Sequence, residues 1–168
     1  ALGVQVIGVD ISPAMLAAAR RDSPSRIPYL LGTATALPFP DASFPCTVLS
    51  FAMHEQEAVT RRRIIEEALR VLDSRGKIVI VDYVQPTGWL SKMTRLFIHA
   101  VERGAGITHY RNFRSFLATG ALAGLLIEHR LELSAAQRAL AGTAAVFVCQ
   151  PRLFGARRPA RRTPNGFQ

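Results

Sequence analysis

Cysteine is scarce in this chain: Cys46 and Cys149 are the only two among 168 residues, and each has apolar neighbours. They read as reduced core thiols of a cytoplasmic protein. Long hydrophobic runs are also missing. The longest, such as "ALAGLLI", fall far short of the roughly 20 apolar residues that cross a bilayer, so no membrane span is expected. The opening "ALGVQVIGVD" has neither a basic n-region nor a small-residue cleavage site, and does not read as a secretory signal. Internal repeats are absent as well.

Acidic residues are lacking from one stretch altogether. Residues 151–168 hold Arg152, Arg157, Arg158, Arg161 and Arg162 and no acid, and these arginines supply more than half of the net charge of +9. The remaining +4 is ordinary for a globular protein of this size. The basic balance therefore says little about the folded part, and no nucleic-acid partner is expected. With its Pro, Gly and Arg content and few aliphatics, the tail reads as a disordered, solubilising extension. Residues 1–150 then form one domain. Their composition is that of a globular protein, the whole chain being 49% apolar and 20% charged.

The apolar pattern gives strands and helices in alternation. Residues 3–9 read as a strand, followed by Ser12 as N-cap and Pro13 at the first helical position. A short strand is expected at 29–31, a proline-rich loop after it, and a buried strand at 47–51. The spacing predicts a helix over 57–72 with Arg61, Arg62, Arg63, Glu66, Glu67 and Arg70 facing water, Glu66 paired to Arg70, and Gly76 as a left-handed helix end. "KIVIVDY" is the clearest strand. A long amphipathic helix over 89–103 follows, then a short helix capped by Asn112 and ending at Gly120, and two final strands, "LLIEHRLEL" and "AAVFVCQ". Such an order implies an α/β fold: a mostly parallel sheet with helices on both faces, a three-layer αβα sandwich, closed by a C-terminal antiparallel strand pair.

Ligands of such sheets bind outside the carboxyl ends of the strands. Asp10 ends the first visible strand, where a carboxylate can accept two hydrogen bonds from a ribose diol; supporting the helix start is its alternative role. Thr33 and Ala34 follow the second strand, Ser50 to His54 the third, and Asp82 and Tyr83 end the fourth. His54 is the candidate base, or the group that orients an acceptor, and Asp82 and Tyr83 are candidate acceptor contacts. His54, His99 and His109 do not have the spacing of a metal site and no cysteine pair supports zinc, so no metal is expected.

Five segments, "VIGVDISPAMLAAAR", "GTATALPFPDASF", "VLSFAMHE", "ALRVLDSRGKIVIVDY" and "HYRNFRSFL" with its following "GAL", resemble in this order the class I S-adenosylmethionine-dependent methyltransferases. The similarity is greatest to the branch that includes the ubiquinone/menaquinone-biosynthesis methyltransferases, and it covers residues 3–151. The resemblance implies a Rossmann-like methyltransferase sheet and S-adenosylmethionine as cofactor. In its terms Asp10 binds the ribose hydroxyls, Ile11 and Met15 pack beside the adenine, and Ala34 meets the adenine edge through its backbone. Thr33 stands where the family usually has an aspartate, and a hydroxyl accepts the adenine amino group without charge assistance. Ser50 and Phe51 line the methionine moiety. His109, Tyr110 and Arg114 fall in the region that covers the acceptor, a small apolar or aromatic molecule.

The family's first strand and glycine-rich loop have no counterpart after Gly3. The chain therefore reads as a piece whose N-terminal part is missing, with exposed strand edges and weak cofactor binding expected. Two rivals stand beside this reading. A nicotinamide-dinucleotide-binding oxidoreductase domain also ends a strand on an acid, though "ALPFPDASF" and the paired last strands disfavour it. A truncated, non-catalytic binding module with an RNA-associating arginine tail is the other.

Overall fold

The computed structural model describes residues 3–85, 89–104 and 106–152. Beyond Pro151 and Arg152 the expected tail lies outside them.

Strand β1 (Gly8–Asp10) pairs in parallel with β2 (Tyr29–Leu31), Val9 opposite Leu30, and helix α1 (Pro13–Asp22) connects the two. The start of α1 follows from local chemistry. Ser12 Oγ accepts the Met15 N–H at 3.3 Å while Pro13 occupies the first turn. Strand β3 (Phe44–Ser50) runs through α2 (Ala58–Arg70) into β4 (Leu72–Tyr83), which lies parallel to it. Three helices, α3 (Trp89–Gly104), α4 (Ile107–Ala118) and α5 (Ala121–Glu128), lead to β5 (Leu131–Ala139) and β6 (Ala144–Pro151). Strand β6 is antiparallel to both β4 and β5, giving the order β3-β4-β6-β5. The mixed α/β architecture and the closing antiparallel pair agree with the sequence.

The sheet is in two pieces. Strands β1 and β2 form one, the other four strands a second. Between the facing edges of β1 and β3 lies a groove of about 330 Å³ lined by Val6, Val9, Ala34, Phe39, Val48 and Ile64. The core is built instead on β4, whose Ile78 and Ile80 are wholly buried against Ile65, Met53, Phe113, Phe116, Leu122 and Cys149. Burying a side chain of this size is worth about 1.5–3 kcal/mol, so β4 and the helices around it hold the domain together.

Several local expectations need correction. Residues 3–7 are irregular, and β1 begins only at Gly8. Gly76 ends no helix: α2 stops at Arg70 and Gly76 lies inside β4, where a Cβ would come within 2.6 Å of the Leu72 side chain. Residues 125–128 are helical, because a left-handed Gly120 (φ 92°) starts α5 and the apolar run suits either element. Asn112 lies inside α4 and is buried. Arg61 turns inward, its Nη1 donating to the Gln56 carbonyl at 2.7 Å and its guanidinium lying over the Phe116 ring. Arg70 bonds Glu67 and Asp41, not Glu66. Cys149 is buried as expected, whereas Cys46 is exposed. Among the described residues no helix is long and apolar enough to cross a membrane.

Candidate functional site

Asp10 stands at the carboxyl end of β1, and its Oδ1 accepts the Ser12 N–H at 2.8 Å. That bond fixes the carboxylate at the turn into α1 and supports the helix start. Ile11 and Met15 beside it are 74% and 59% exposed. A rim carboxylate flanked by uncovered apolar side chains fits a nucleoside: its oxygens can accept from the diol and the base can take the apolar surface. Thr33 follows β2, its Oγ1 hydrogen-bonded to Thr35 Oγ1 at 2.8 Å. Ala34 is half-buried against the core. Ser50 ends β3 exposed, and Phe51 has a left-handed backbone with φ 50°. For a phenylalanine that conformation costs on the order of 1–3 kcal/mol; it turns the chain sharply and sends Met53 and His54 inward.

Asp82 holds them there. It is fully buried, and its two oxygens accept four hydrogen bonds, from Met53 N (2.9 Å), His54 N (3.2 Å), His54 Nδ1 (2.8 Å) and Tyr83 N (2.7 Å). With both oxygens so engaged and no exposed surface, Asp82 orients the His54 ring and offers no face for the acceptor contact that its place in the sequence suggested. Because His54 Nδ1 faces a carboxylate, the ring hydrogen is assigned to that nitrogen, leaving Nε2 to face the site. Burial opposes the charge of His54, but the Asp82 hydrogen bond and the charges of Asp82, Glu102 and Glu55 outweigh it, and the net effect raises its pKa.

Helices α3 and α4 close over this dyad. Glu102, buried on α3, accepts from Tyr83 Oη at 2.9 Å through Oε1, while its Oε2 bonds His109 Nε2 and lies 3.8 Å from His54 Nε2. His109 Nδ1 in turn lies 3.8 Å from Glu55. Burial, then the Glu102 bond, raise the Tyr83 phenol pKa. Tyr83, Phe51 and Phe113 surround the His54 ring edge to face, with the Tyr83 centroid at 4.8 Å. Tyr110 hydrogen-bonds His99 at 3.0 Å and stacks on Phe113.

His54, Asp82, Tyr83 and His109 thus converge, with Phe51 and Tyr110 on their flanks. Arg114 does not join them, being exposed on α4 beside the buried Phe113. Glu102 and Glu55 are the members that sequence reasoning left out. Glu102 did leave a trace, as the one acid in the apolar α3 sequence. Asn112 is another omission: its Nδ2 donates to the Glu55 carbonyl at 2.8 Å and ties α4 to the loop carrying His54.

Residues 1–80 match the family described as "Methyltransferase domain". A demethylmenaquinone methyltransferase from Paenarthrobacter aurescens is 35% identical over 101 residues, which are 59% of this chain and 39% of that protein. The chain thus spans about two fifths of the length of that relative. Among solved structures, the PH0226 protein from Pyrococcus horikoshii superposes with a TM-score of 0.65 at 19% identity, covering 89% of this chain and 73% of that one. A SAM-dependent methyltransferase from Methanosarcina mazei gives 0.59 at 18% identity, covering 90% and 84%. Residues 1–80 are thus similar to a methyltransferase domain, and most of the chain shares the fold of these solved structures.

Proposed function

We propose that this chain carries S-adenosylmethionine-dependent methyl transfer to a small aromatic acceptor with an ionisable hydroxyl, of the hydroquinone type. The observation that carries the proposal is the buried Asp82–His54 dyad, which aims one imidazole nitrogen among aromatic rings at the carboxyl ends of β3 and β4. The name of the P. aurescens relative supports a quinone-like acceptor. When bound, S-adenosylmethionine supplies an electrophilic methyl group on a sulfonium, itself a good leaving group.

The protein's own residues have two tasks. Asp10 binds the ribose hydroxyls, with Ile11 and Met15 against the adenine and Thr33, Ala34, Ser50 and Phe51 along the rest of the cofactor. His54 Nε2 accepts the proton of the acceptor hydroxyl, leaving an oxyanion that enriches the ring carbon to be methylated. The resulting imidazolium is held by Asp82 at Nδ1 and faces Glu102 across 3.8 Å. Tyr83 and Phe51 give the acceptor ring edge and face contacts, with Phe113 packed behind His54, and together they keep water from the oxyanion.

Incubating the full chain with S-adenosylmethionine and a panel of benzo- and naphthohydroquinones tests the proposal by mass spectrometry. Slow formation of a singly methylated product is expected, lost in His54→Gln. Product formation indifferent to His54, or none with any acceptor, overturns it.

A further inference from the structure

We infer that His54, Glu102 and His109 form a binding site for one divalent transition-metal cation, for which Zn²⁺ is the probe. One ligand atom from each lies within 4.8 Å of the other two, and His54 and Glu102 are buried. Two imidazoles and a carboxylate are the donor set of zinc sites that keep a further position open. At bond lengths of roughly 2.0–2.2 Å the donors must draw closer together, which rotation of the Glu102 and His109 side chains supplies.

A second observation is independent of that spacing. Two of the donors are backed by hydrogen bonds, His54 Nδ1 by Asp82 at 2.8 Å and Glu102 Oε1 by the Tyr83 hydroxyl at 2.9 Å, while His109 Nδ1 lies 3.8 Å from the Glu55 carboxylate. Such outer partners fix the tautomer and heading of metal-bound imidazoles. With its hydrogen on Nδ1, His54 turns a lone pair toward the Glu102 carboxylate across 3.8 Å, which is beyond hydrogen-bond distance. A cation there takes the His54 lone pair and replaces the hydrogen shared by His109 Nε2 and Glu102 Oε2, which moves to His109 Nδ1 or is released. Sequence spacing gave no hint of this, because the donors come from the loop after β3 and from two helices that meet at the left-handed Gly106 (φ 122°).

The inference stands whether or not the chain transfers methyl groups. Where it does, metal and acceptor compete for His54 Nε2, so zinc inhibits turnover.

The full chain, stripped with a chelator and desalted, is titrated with Zn²⁺ and counted by elemental mass spectrometry, with Co²⁺ absorption reporting coordination number. One equivalent is expected, with the intense visible bands of a four- or five-coordinate Co²⁺ ion. His109→Ala, on a partly exposed side chain that the fold tolerates, weakens binding at least tenfold, as does Glu102→Gln. Asp82→Asn weakens it by about 10–100-fold. Cys46→Ser, a control for the exposed thiol, changes nothing. Binding below one equivalent, or binding unchanged by His109→Ala and Glu102→Gln in variants whose circular dichroism is native, overturns the site.

Discussion

Replacing Asp82 separates what this carboxylate does for the fold from what it does for His54. Asp82→Ala leaves the Met53, His54 and Tyr83 amide hydrogens and the His54 Nδ1 hydrogen without their acceptor, in a place no solvent reaches. Hydrogen bonds to a charged group are worth about 1.5–3 kcal/mol each. Their sum overstates the loss, because the loop after β3 rehydrates once it is released, and removing one partner of a buried pair costs about 3–5 kcal/mol. That is a large share of the total for a domain stable by about 5–15 kcal/mol. Asp82→Asn keeps one acceptor oxygen and costs less, about 1–3 kcal/mol. Its amide now donates to His54 Nδ1, so the ring hydrogen moves to Nε2 and the group can no longer take a proton from an acceptor. Turnover then falls by on the order of 100-fold or more. Urea unfolding followed by circular dichroism reads the first effect, and nitrogen-15 imidazole shifts read the tautomer. A loss below about 1 kcal/mol in Asp82→Ala, or an Nδ1-protonated His54 in Asp82→Asn, refutes the reasoning.

Two further outcomes follow from local electrostatics. The Arg70 hydrogen bond, with help from the Leu37 N–H, holds the Glu67 carboxyl below its ordinary value of 4.5. Its stabilisation is therefore complete above that value and fades as the pH falls through the lowered folded one. Glu67→Gln should lower the unfolding midpoint at neutral pH, with the difference closing in strongly acidic buffer; a gap that persists there contradicts the assignment. Burial pushes the Cys149 thiol up to about 11, whereas Cys46 is exposed. Iodoacetamide at pH 8 should label Cys46 alone in the native protein and both in urea, so rapid native labelling of Cys149 would count against the described core.

Signals lying within a few residues were legible in the sequence. Ser12 and Pro13 start α1, and β2 spans Tyr29–Leu31 as read. The misreadings arise from contacts between distant segments. Arg61 looks like a surface residue until Phe116, on another helix, comes under its guanidinium. Arg70 prefers Glu67 and Asp41 to Glu66 because the loop at 37–41 folds back onto the end of α2. The apolar stretch at 121–127 satisfies a helix and a strand equally, and a left-handed Gly120 settles it. Within the site, His54 stood out because it follows a strand end. Its partnership with Asp82 joins two strand ends 28 residues apart, and the meeting of Glu102 with His109 depends on how α3 turns into α4.

The central claim is that the Asp10 carboxylate grips a nucleoside's diol, and saturation-transfer NMR with S-adenosylhomocysteine tests it most directly on the full chain. Binding weaker than micromolar is predicted, with transfer to the adenine and ribose protons. Asp10→Asn keeps an acceptor for the Ser12 N–H but loses the charge, and should weaken binding by about tenfold or more, the equivalent of about 1.4 kcal/mol. Transfer of equal strength in wild type and Asp10→Asn, or none to the ribose in either, would contradict the account.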